Sequence, residues 1–373
     1  MENNNSVCFV ATINEIKPIE GADNIEQVVA GGWNCIAQKN TYKIDDFVVV
    51  ATTDAVIPIE LSDTLNVTNY LRKGQRVRTV KLRGVYSECL LIPLQYIPFM
   101  ENYYEGKDMM YVMNIYKYEP PVRQIQLSSG KKIRYQDNPN FHVYYKFPNL
   151  KNVKGMFTEE DVVEITRKIH GTNARYGIVK KKKLSIIDKV RKFFGNEWVE
   201  FEYVYGSHNV EKGSDSQGFY STDVWQTIAI KYNIREKLWD MFKLYKRQYN
   251  ITDSIVIYGE IYGAGIQKNY DYGLSNIDYV GFDTTINGEY CDTAYSFMIQ
   301  NELGLPYVPV LAVDNWSQEL QDKLVFNNFI EGTKIPQEGI VIKALDGNRT
   351  QIAKVINPDY LIYGEKHNIG DSH

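Results

Sequence analysis

The chain has 373 residues and a formal net charge of -4, with Lys+Arg 42 against Asp+Glu 46. This balance gives no sign of a surface that binds polyanions throughout, and 44% hydrophobic residues exclude collagenous and disordered proteins. The length favours two domains, at least one of them with a well-buried core.

Short apolar segments separated by turn signals occupy the first part of the chain. They predict strands at residues 7–12, 33–37, 47–52, 77–82 and 89–93, which is the spacing of a small all-β barrel or sandwich. The pattern ends at Tyr118-Glu119-Pro120-Pro121, where two successive prolines fit neither a helix nor a central strand. We therefore predict a β domain over residues 1–118 and a linker over residues 119–149.

Strands and helices alternate in the second part, which we place at residues 150–373. Apolar runs predict strands at 162–166, 255–258, 279–283, 339–343 and 351–356. A helical period follows Ser221-Thr222-Asp223 and extends to Phe242, and residues 317–326 predict another helix. An all-β start followed by a mixed domain indicates an α+β protein.

Cysteine spacing and hydropathy bear on the compartment. Cys8, Cys35, Cys89 and Cys291 form no C-x-x-C pair, which argues against a zinc ribbon and indicates reduced thiols. The start lacks the basic and apolar regions of a leader, and no apolar run approaches the roughly 18 residues of a membrane span. We expect a soluble, cytoplasmic protein without a membrane partner.

The common phosphate-binding loops are missing from the sequence. There is no G-x-x-x-x-G-K-[ST], and the stretch from Gly259 to Gly265 fails G-x-G-x-x-G in both spacing and context. A lysine instead follows an apolar strand and opens a turn, in Lys168-Ile169-His170-Gly171-Thr172-Asn173. Taken alone, such a lysine is usually a surface residue.

This turn resembles the nucleotidyl-attachment motif of the covalent nucleotidyltransferases, in the form carried by the RNA ligase 2-like branch of the ATP-dependent RNA ligases. Other stretches resemble the family's later motifs in the same order: Tyr258-Gly259-Glu260-Ile261-Tyr262-Gly263, Gly281-Phe282-Asp283, Glu338-Gly339-Ile340-Val341-Ile342-Lys343, and Lys354 with its apolar neighbours. Residues 16–23, 81–84 and 118–121 resemble the amino-terminal oligonucleotide-binding (OB) domain of some relatives. The resemblance implies an OB-like β-barrel followed by a mixed α/β nucleotidyltransferase domain of the ATP-grasp-like ligase type.

The resemblance also implies the reaction. An ATP-dependent RNA ligase joins RNA 3′-OH and 5′-phosphate ends through a lysyl-AMP and an RNA-adenylate, in RNA repair. Lys168 would attack the α-phosphorus of ATP, and its amine must be neutral to do so, although a free lysine has a pKa near 10.4. Nearby cations, including Lys354 and a divalent metal, would disfavour the ammonium form.

Family motifs assign roles to individual residues. Phe282 would stack on adenine, Lys343 and Lys354 would contact the α-phosphate, and Glu260 would hold a ribose hydroxyl or the metal. Glu338 is the metal ligand we favour, for Mg²⁺ or Mn²⁺. The predicted ATP-binding set is Ile169, His170, Gly171, Asn173, Glu260, Phe282, Lys343 and Lys354.

Three positions depart from the family pattern. Arg167 stands where relatives often carry an acid that reads the adenine amino group, and Ile356 stands where a second lysine is usual. His208 matches a basic residue that contacts phosphate, and histidine does so more weakly than arginine. These departures leave alternatives open: a DNA or mixed-strand nick ligase, a GTP-dependent capping enzyme, or a non-catalytic nucleic-acid-binding protein whose nucleotidyltransferase domain has decayed.

Two segments concentrate positive charge. Residues 72–83 hold six cations and no acid, and residues 180–192 hold seven cations with Asp188 the only acid. For the first segment we predict RNA binding, together with His208, through Arg72, Lys73, Arg76, Arg78, Lys81 and Arg83. The second could be a solvated face, a localisation signal or an RNA contact. The expected partner is RNA with 3′-OH and 5′-phosphate ends, bound by a monomer.

Overall fold

The computed structural model describes residues 6–72, 75–97, 102–118, 138–153, 155–208, 210–215, 223–345, 351–367 and 369. The chain divides into two compact units, the first made of residues 1–124, 148–156 and 355–366, and the second of residues 125–147, 157–354 and 367–373. The first unit therefore takes in two short segments that lie beyond residue 118. Residues 119–137 of the predicted linker lie outside the described residues.

Short strands make up most of the first unit. They are β1 (Cys8–Pro18), β2 (Ile25–Ala30), β3 (Trp33–Gln38), β4 (Phe47–Thr52), β5 (Ala55–Val56), β6 (Val80–Leu82), β7 (Val85–Ser87), β8 (Cys89–Pro93) and β9 (Tyr116–Lys117), with one short helix, α1 (Ile59–Thr64). Five of them form a sheet in the order β3-β2-β1-β4-β8. The strands predicted near residues 7, 33, 47 and 89 are present, whereas β2 was missed because polar Glu26 and Gln27 interrupt its apolar pattern.

The long strand β1 bends to pair with two neighbours. Its first half pairs with β4 and its second half with β2, and the register shifts between Ile13 and Glu15. Such a bulge lets one strand turn the corner of a small barrel. Both faces of β4 are buried, since Val48 and Val50 pack into one apolar cluster while Val49 and Ala51 pack into another.

Within the ranges that the structure describes, ten strands and six helices follow. The strands are β10 (Val162–Lys168), β11 (Thr172–Lys180), β12 (Phe201–Gly206), β13 (Glu211–Ser214), β14 (Ser254–Gly263), β15 (Ile277–Ile286), β16 (Glu289–Tyr290), β17 (Val310–Asn315), β18 (Gly339–Ala344) and β19 (Ile352–Ile356). The helices are α2 (Ile186–Phe193), α3 (Val224–Lys231), α4 (Ile234–Tyr245), α5 (Thr293–Glu302), α6 (Gln318–Val325) and α7 (Pro358–His367). The α+β class is confirmed.

The helical stretch expected after Asp223 is two helices. Asp223 caps α3 by accepting a hydrogen bond from the backbone N–H of Gln226, as the sequence indicated. Asn233 then adopts a left-handed backbone with φ 53°, which separates α3 from α4. The spacing of apolar residues does not reveal such a break, because apolar residues continue at intervals of about four along both helices.

Two sheets build the second unit, in the orders β17-β10-β18-β19 and β13-β12-β11-β14-β15-β16. Alternate residues of β11 (Ala174, Tyr176 and Ile178) pack into the main core with residues of α3, α4 and α5. Asn173 and Arg175 alternate with these residues, and so lie on the opposite face of the sheet. None of the helices within the described ranges has the length and apolarity that a membrane crossing requires.

Candidate active site

Lys168 is the last residue of β10, and its Nζ donates a hydrogen bond to Glu338 Oε1 at 2.7 Å. Glu338 is fully buried and immediately precedes β18. In the ladder between the two strands, Lys168 lies opposite Gly339. Strand register therefore brings together a lysine and a glutamate that are 170 positions apart in the chain.

The turn after Lys168 is tightly held. A Cβ on Gly171 would lie 2.2 Å from the carbonyl oxygen of Ile261, so only glycine fits where β11 begins. The Gly171 carbonyl accepts a hydrogen bond from Gln267 Nε2 at 2.6 Å. The backbone N–H of His170 donates to the Tyr272 hydroxyl, also at 2.6 Å, and Ile169 between Lys168 and His170 is partly buried.

His170 is a buried, neutral ring beside the nucleophile. Burial lowers its pKa to about 4, an effect that Glu338 opposes and Lys168 reinforces. Its ring meets the Tyr270 ring edge-on, with centroids 5.2 Å apart. At neutral pH this histidine therefore adds no positive charge near Lys168.

Glu260 and Asn173 are neighbours across β11 and β14. Burial raises the pKa of Glu260 to about 8; the positive charge of Lys168 opposes the rise and the negative charge of Glu338 adds to it. The carboxyl group is therefore mostly protonated at neutral pH and can donate a hydrogen bond. Asn173 Oδ1 is buried with no hydrogen-bond partner in the described part of the chain, so an acceptor is left over here for a ligand.

Lys343 connects the two sheets of the second unit. Its Nζ donates to the Phe282 carbonyl at 2.9 Å and lies 3.4 Å from Asp283 Oδ2. Asp283 also accepts hydrogen bonds from the Tyr144 hydroxyl at 3.0 Å and from Ser296 at 3.1 Å. Both charged groups are buried. The Lys343 ammonium is thus positioned by the backbone and side chain of the predicted aromatic motif.

Phe282 is partly buried, and its ring lies 5.0 Å from the Tyr144 ring in an edge-on contact. It packs against a cluster that includes Phe141, Tyr258 and Val256. The ring is therefore held by other aromatic side chains, which would keep its orientation fixed for a ligand that stacks on it.

The residues that depart from the family pattern are found on β10, on β19 and just after β12. Arg167, beside Lys168 on β10, has a buried Nε without a hydrogen-bond partner among the described residues. Lys354 and Ile356 are partly buried on β19, the neighbour of β18 that ends the sheet. Burial lowers the pKa of His208, and the cations Lys146 and Arg175 lower it further.

Protein groups alone do not complete a metal site here. Among the described residues, no three His, Cys, Asp or Glu side chains lie close enough together to hold an ion. Glu338 is the buried carboxylate beside the nucleophile, and one oxygen meets Lys168. Mg²⁺ commonly binds through one or two carboxylates plus substrate phosphates and water, so a single carboxylate fits an ion that arrives with a nucleotide.

Three of the six predicted RNA-binding cations of the first unit are paired with carboxylates. Arg76 pairs with Asp54, Arg78 Nη1 lies 3.4 Å from Glu365, and Lys81 Nζ lies 3.3 Å from Asp359. Glu365 and Asp359 both belong to α7. Arg72 bridges Arg76 through its backbone, Arg83 is exposed with φ 49°, and Lys73 lies outside the described residues. RNA binding by these residues stays a prediction.

Several residues of the site carry no sequence motif. Gln267 and Tyr272 come from the connection between β14 and β15, where no period or turn signature marks them. Arg175 is fully buried and donates from Nε to the Ser207 carbonyl at 2.8 Å, which holds the turn before His208. An arginine inside the largely apolar run of residues 174–179 was the one signal that the sequence offered.

Comparison with known proteins identifies both parts of the chain. A model of the RNA ligase family matches residues 161–356, and an OB-fold domain model matches residues 7–94. No curated protein matches the sequence. A lysine mutant of Naegleria gruberi RNA ligase with ATP and Mn is similar in structure, with a TM-score of 0.70, 22% identity, and coverage of 97% of this chain and 99% of that chain.

Two further structures of the Naegleria gruberi RNA ligase are similar over the same shares of both chains, 97% and 99%. The complex with PPi has a TM-score of 0.68 and 22% identity, and a second lysine mutant with AMP and Mn has 0.70 and 21%. The OB-type and nucleotidyltransferase folds are therefore confirmed. Since the RNA ligase model covers more than half of the residues, the chain belongs to the RNA ligase family.

Proposed function

We propose that this protein is an ATP-dependent RNA ligase that works through a covalent Lys168-AMP and seals RNA 3′-OH to 5′-phosphate ends. The observation that carries the proposal is the contact between Lys168 Nζ and Glu338 Oε1 at 2.7 Å, inside the segment that the RNA ligase model matches. The lysyl amine is thus held next to a buried carboxylate at the end of a strand.

In the first step, the Lys168 amine attacks the α-phosphorus of ATP. A phosphorus–nitrogen bond forms, the bond to the bridging oxygen breaks, and pyrophosphate leaves. The amine must shed a proton, and the hydrogen bond to Glu338 offers the proton a path. In the later steps the adenylate passes to an RNA 5′-phosphate, and a 3′-hydroxyl then displaces AMP as the phosphodiester forms.

Site residues have separate tasks in holding ATP. The protonated carboxyl of Glu260 donates to a ribose hydroxyl, and the free Oδ1 of Asn173 accepts from the nucleotide. Phe282 stacks on adenine. His170 and Gly171 contribute through a backbone that Tyr272 and Gln267 fix in place.

Phosphate charge is met by cations. Lys343 and Lys354, on β18 and β19, contact the α-phosphate. A divalent ion, Mg²⁺ or Mn²⁺, would be held by Glu338 together with phosphate and water, and it would supply further neutralisation of the phosphates. Arg167 stands where relatives often have an acidic residue that binds the adenine amino group, so other groups must recognise the base.

RNA handling is assigned to both parts of the chain. Residues 1–118 would form the domain that docks RNA, and residues 119–149 would link it to the catalytic domain. Residues 150–373 would form that catalytic domain, which transfers the adenylate. The phosphate contacts would come from Arg72, Lys73, Arg76, Arg78, Lys81, Arg83 and His208. A single copy in the cytoplasm would suffice, since the proposed steps use groups from one chain.

Covalent labelling tests the first step. Purified protein incubated with α-labelled ATP and Mg²⁺ or Mn²⁺ should become covalently labelled, and Lys168→Ala should not. Lys243→Ala, at an exposed lysine of α4, is the matched control and should label normally. Labelling from GTP but not ATP would support the capping alternative, and absence of label with any nucleotide and metal would support the non-catalytic alternative.

A panel of ends tests the substrate. Strands of RNA and DNA with 5′-phosphate and 3′-hydroxyl ends should show joining of RNA in preference to DNA. If the protein instead prefers to seal a nick in DNA, the result would support a DNA ligase and contradict the proposed RNA ligase. Removal of the 5′-phosphate should stop joining while leaving the Lys168 label unchanged.

A further inference from the structure

Helix α2 connects β11 to β12 and exposes apolar side chains to solvent. None of its eight residues is buried. Exposed fractions run from 50% at Val190 to 86% at Phe193 among five large apolar side chains, namely Ile186, Ile187, Val190, Phe193 and Phe194. Contiguous apolar surface of this kind marks a contact that the isolated chain does not make.

The apolar side chains share one side of the helix. A helix turns about 100° per residue, which places Phe193, Ile186, Val190, Phe194 and Ile187 within an arc of about 120°. The rings of Phe193 and Phe194 meet edge-on, with centroids 5.6 Å apart. The helix therefore presents one continuous apolar stripe.

Positive charge borders this stripe on both edges. By the same rotation, Lys189 falls just beyond one edge of the arc and Arg191 just beyond the other, while Asp188 and Lys192 lie opposite. Lys189, Arg191 and the preceding Lys183 make no ion pair with any residue that the structure describes. When the apolar arc is buried in a partner surface, the long basic side chains at its two borders can contact anionic groups at the edge of that surface.

A capping box holds the start of the helix, and its acid is already engaged. Ser185 and Asp188 form a capping box, in which Ser185 Oγ accepts from the Asp188 N–H at 3.0 Å and Asp188 Oδ2 accepts from the Ser185 N–H at 3.2 Å. Asp188 also pairs with Lys181 at 3.2 Å. The one negative charge of residues 180–192 is thus turned inward, and the outward charge is positive.

We propose that α2 is an interfacial helix that docks the protein on an anionic lipid bilayer. The apolar arc would enter the boundary between headgroups and acyl chains, and the bordering cations would contact anionic headgroups. Two observations favour this partner: the cations beside the stripe complement anionic headgroups, and the stripe itself is a continuous aliphatic and aromatic surface. The earlier expectation of no membrane partner rested on the length of apolar runs, and a helix that lies in the membrane plane needs no spanning length.

Two other occupants fit less well. Single-stranded RNA stacks on aromatic rings, and three of the five exposed apolar side chains are aliphatic. A second copy would bring together two segments with seven cations each, so like charges would oppose the contact. Both remain measurable outcomes of the experiment.

Co-sedimentation with vesicles tests the proposal on the full chain. Vesicles of phosphatidylcholine mixed equally with phosphatidylglycerol should bind the protein, and vesicles of phosphatidylcholine alone should bind it at least about tenfold less. Raising the salt concentration should weaken binding, because the charge attraction is screened. Phe193→Ser/Phe194→Ser should lower the bound fraction at least about tenfold by removing apolar area from the stripe.

The matched control is Ile230→Ser/Leu244→Ser, which changes two apolar side chains of α3 and α4 that are each 68% exposed. It should bind vesicles as the unchanged protein does. Labelling from ATP should be normal in both variants, which checks their folding independently of the lipid result. Equal binding to neutral and anionic vesicles, or unchanged binding by the phenylalanine variant, would overturn the proposal. A gel-shift defect or a lower solution mass in that variant, without lipid binding, would assign α2 to RNA or to a second copy.

Discussion

Cations meet carboxylates in both units, but at very different depths. Lys343 and Asp283 of the second unit are almost completely buried, with exposed side-chain fractions of 2% and 0%. Arg78 and Glu365 of the first unit are 35% and 22% exposed. A family motif predicted Lys343 as a phosphate ligand, and a cluster of positive charge predicted the same role for Arg78. The difference in depth shows that the second-unit lysine is held rigidly by its protein partners, while the first-unit arginine can exchange its partner at little cost.

The largest expected effect is on stability at the buried pair. Lys343→Met leaves the Asp283 carboxylate buried without its cation, and breaking a buried pair typically costs about 3–5 kcal/mol. Denaturant unfolding should show this loss. The double variant Lys343→Met/Asp283→Leu should recover only part of it, because no uncompensated charge remains but the Tyr144 and Ser296 hydroxyls lose their acceptor. Equal stability of Lys343→Met and the unchanged protein would contradict the assignment of a buried ion pair.

The next effect is on adenylation. Glu338→Gln keeps the side-chain shape and removes the charge that faces Lys168, so we expect single-turnover labelling from ATP to slow by about 10²-fold. Glu331→Gln, at an exposed glutamate, serves as the control and should label at the normal rate. A normal rate in Glu338→Gln would remove this residue from the step.

A pH effect follows from Glu260. Its pKa rises from an ordinary value of 4.5 to about 8 in the folded protein, so the folded state keeps a proton that the unfolded state releases. The contribution of Glu260 to stability is therefore greatest below about pH 4.5 and is lost as pH rises to about 8. Relative to the unchanged protein, Glu260→Gln should be equally stable at pH 4 and more stable at pH 8, by on the order of 4 kcal/mol. Urea unfolding over this pH range measures the difference, and a difference independent of pH would contradict the shift.

The smallest effect belongs to the exposed pair. Arg78→Ala should lower the free energy of unfolding by no more than about 1 kcal/mol, since half-exposed ion pairs are weak and screened. A double-mutant cycle that adds Glu365→Ala and Arg78→Ala/Glu365→Ala isolates the coupling energy between the two side chains, which should shrink at high salt. A loss as large as that of Lys343→Met would erase the distinction between the two regions.

Much of the second unit could be predicted from the sequence because strands set their residues by register. The apolar runs located β10, β14, β15, β18 and β19, and the resemblance placed Lys168, Glu260, Glu338 and Lys343 on or beside them. Catalytic residues at strand ends can be predicted from the sequence, because the hydrophobic pattern and the family motif indicate the same strand.

The remainder depended on contacts between distant segments. Tyr272 and Gln267 come from an irregular connection, and nothing local shows that they meet the turn after Lys168. Arg78 pairs with Glu365 of α7, a residue 287 positions away in the chain. The local charge pattern of residues 72–83 therefore suggested an unpaired cation, although the fold places a carboxylate of α7 beside it. Asn233 ends α3 through its backbone angle, which the apolar period cannot express.

The Ile261 backbone lies so close to Gly171 that small and large side chains should be equally excluded at this position. A Cβ there would meet the Ile261 carbonyl at 2.2 Å and Glu260 Cγ at 3.0 Å, so alanine fails for the same reason as tryptophan. In a library randomised at this codon and selected for joining, we expect glycine alone to survive. Neighbouring Ile169, which is only partly buried, should retain several apolar residues, and the contrast would map backbone contact separately from side-chain chemistry.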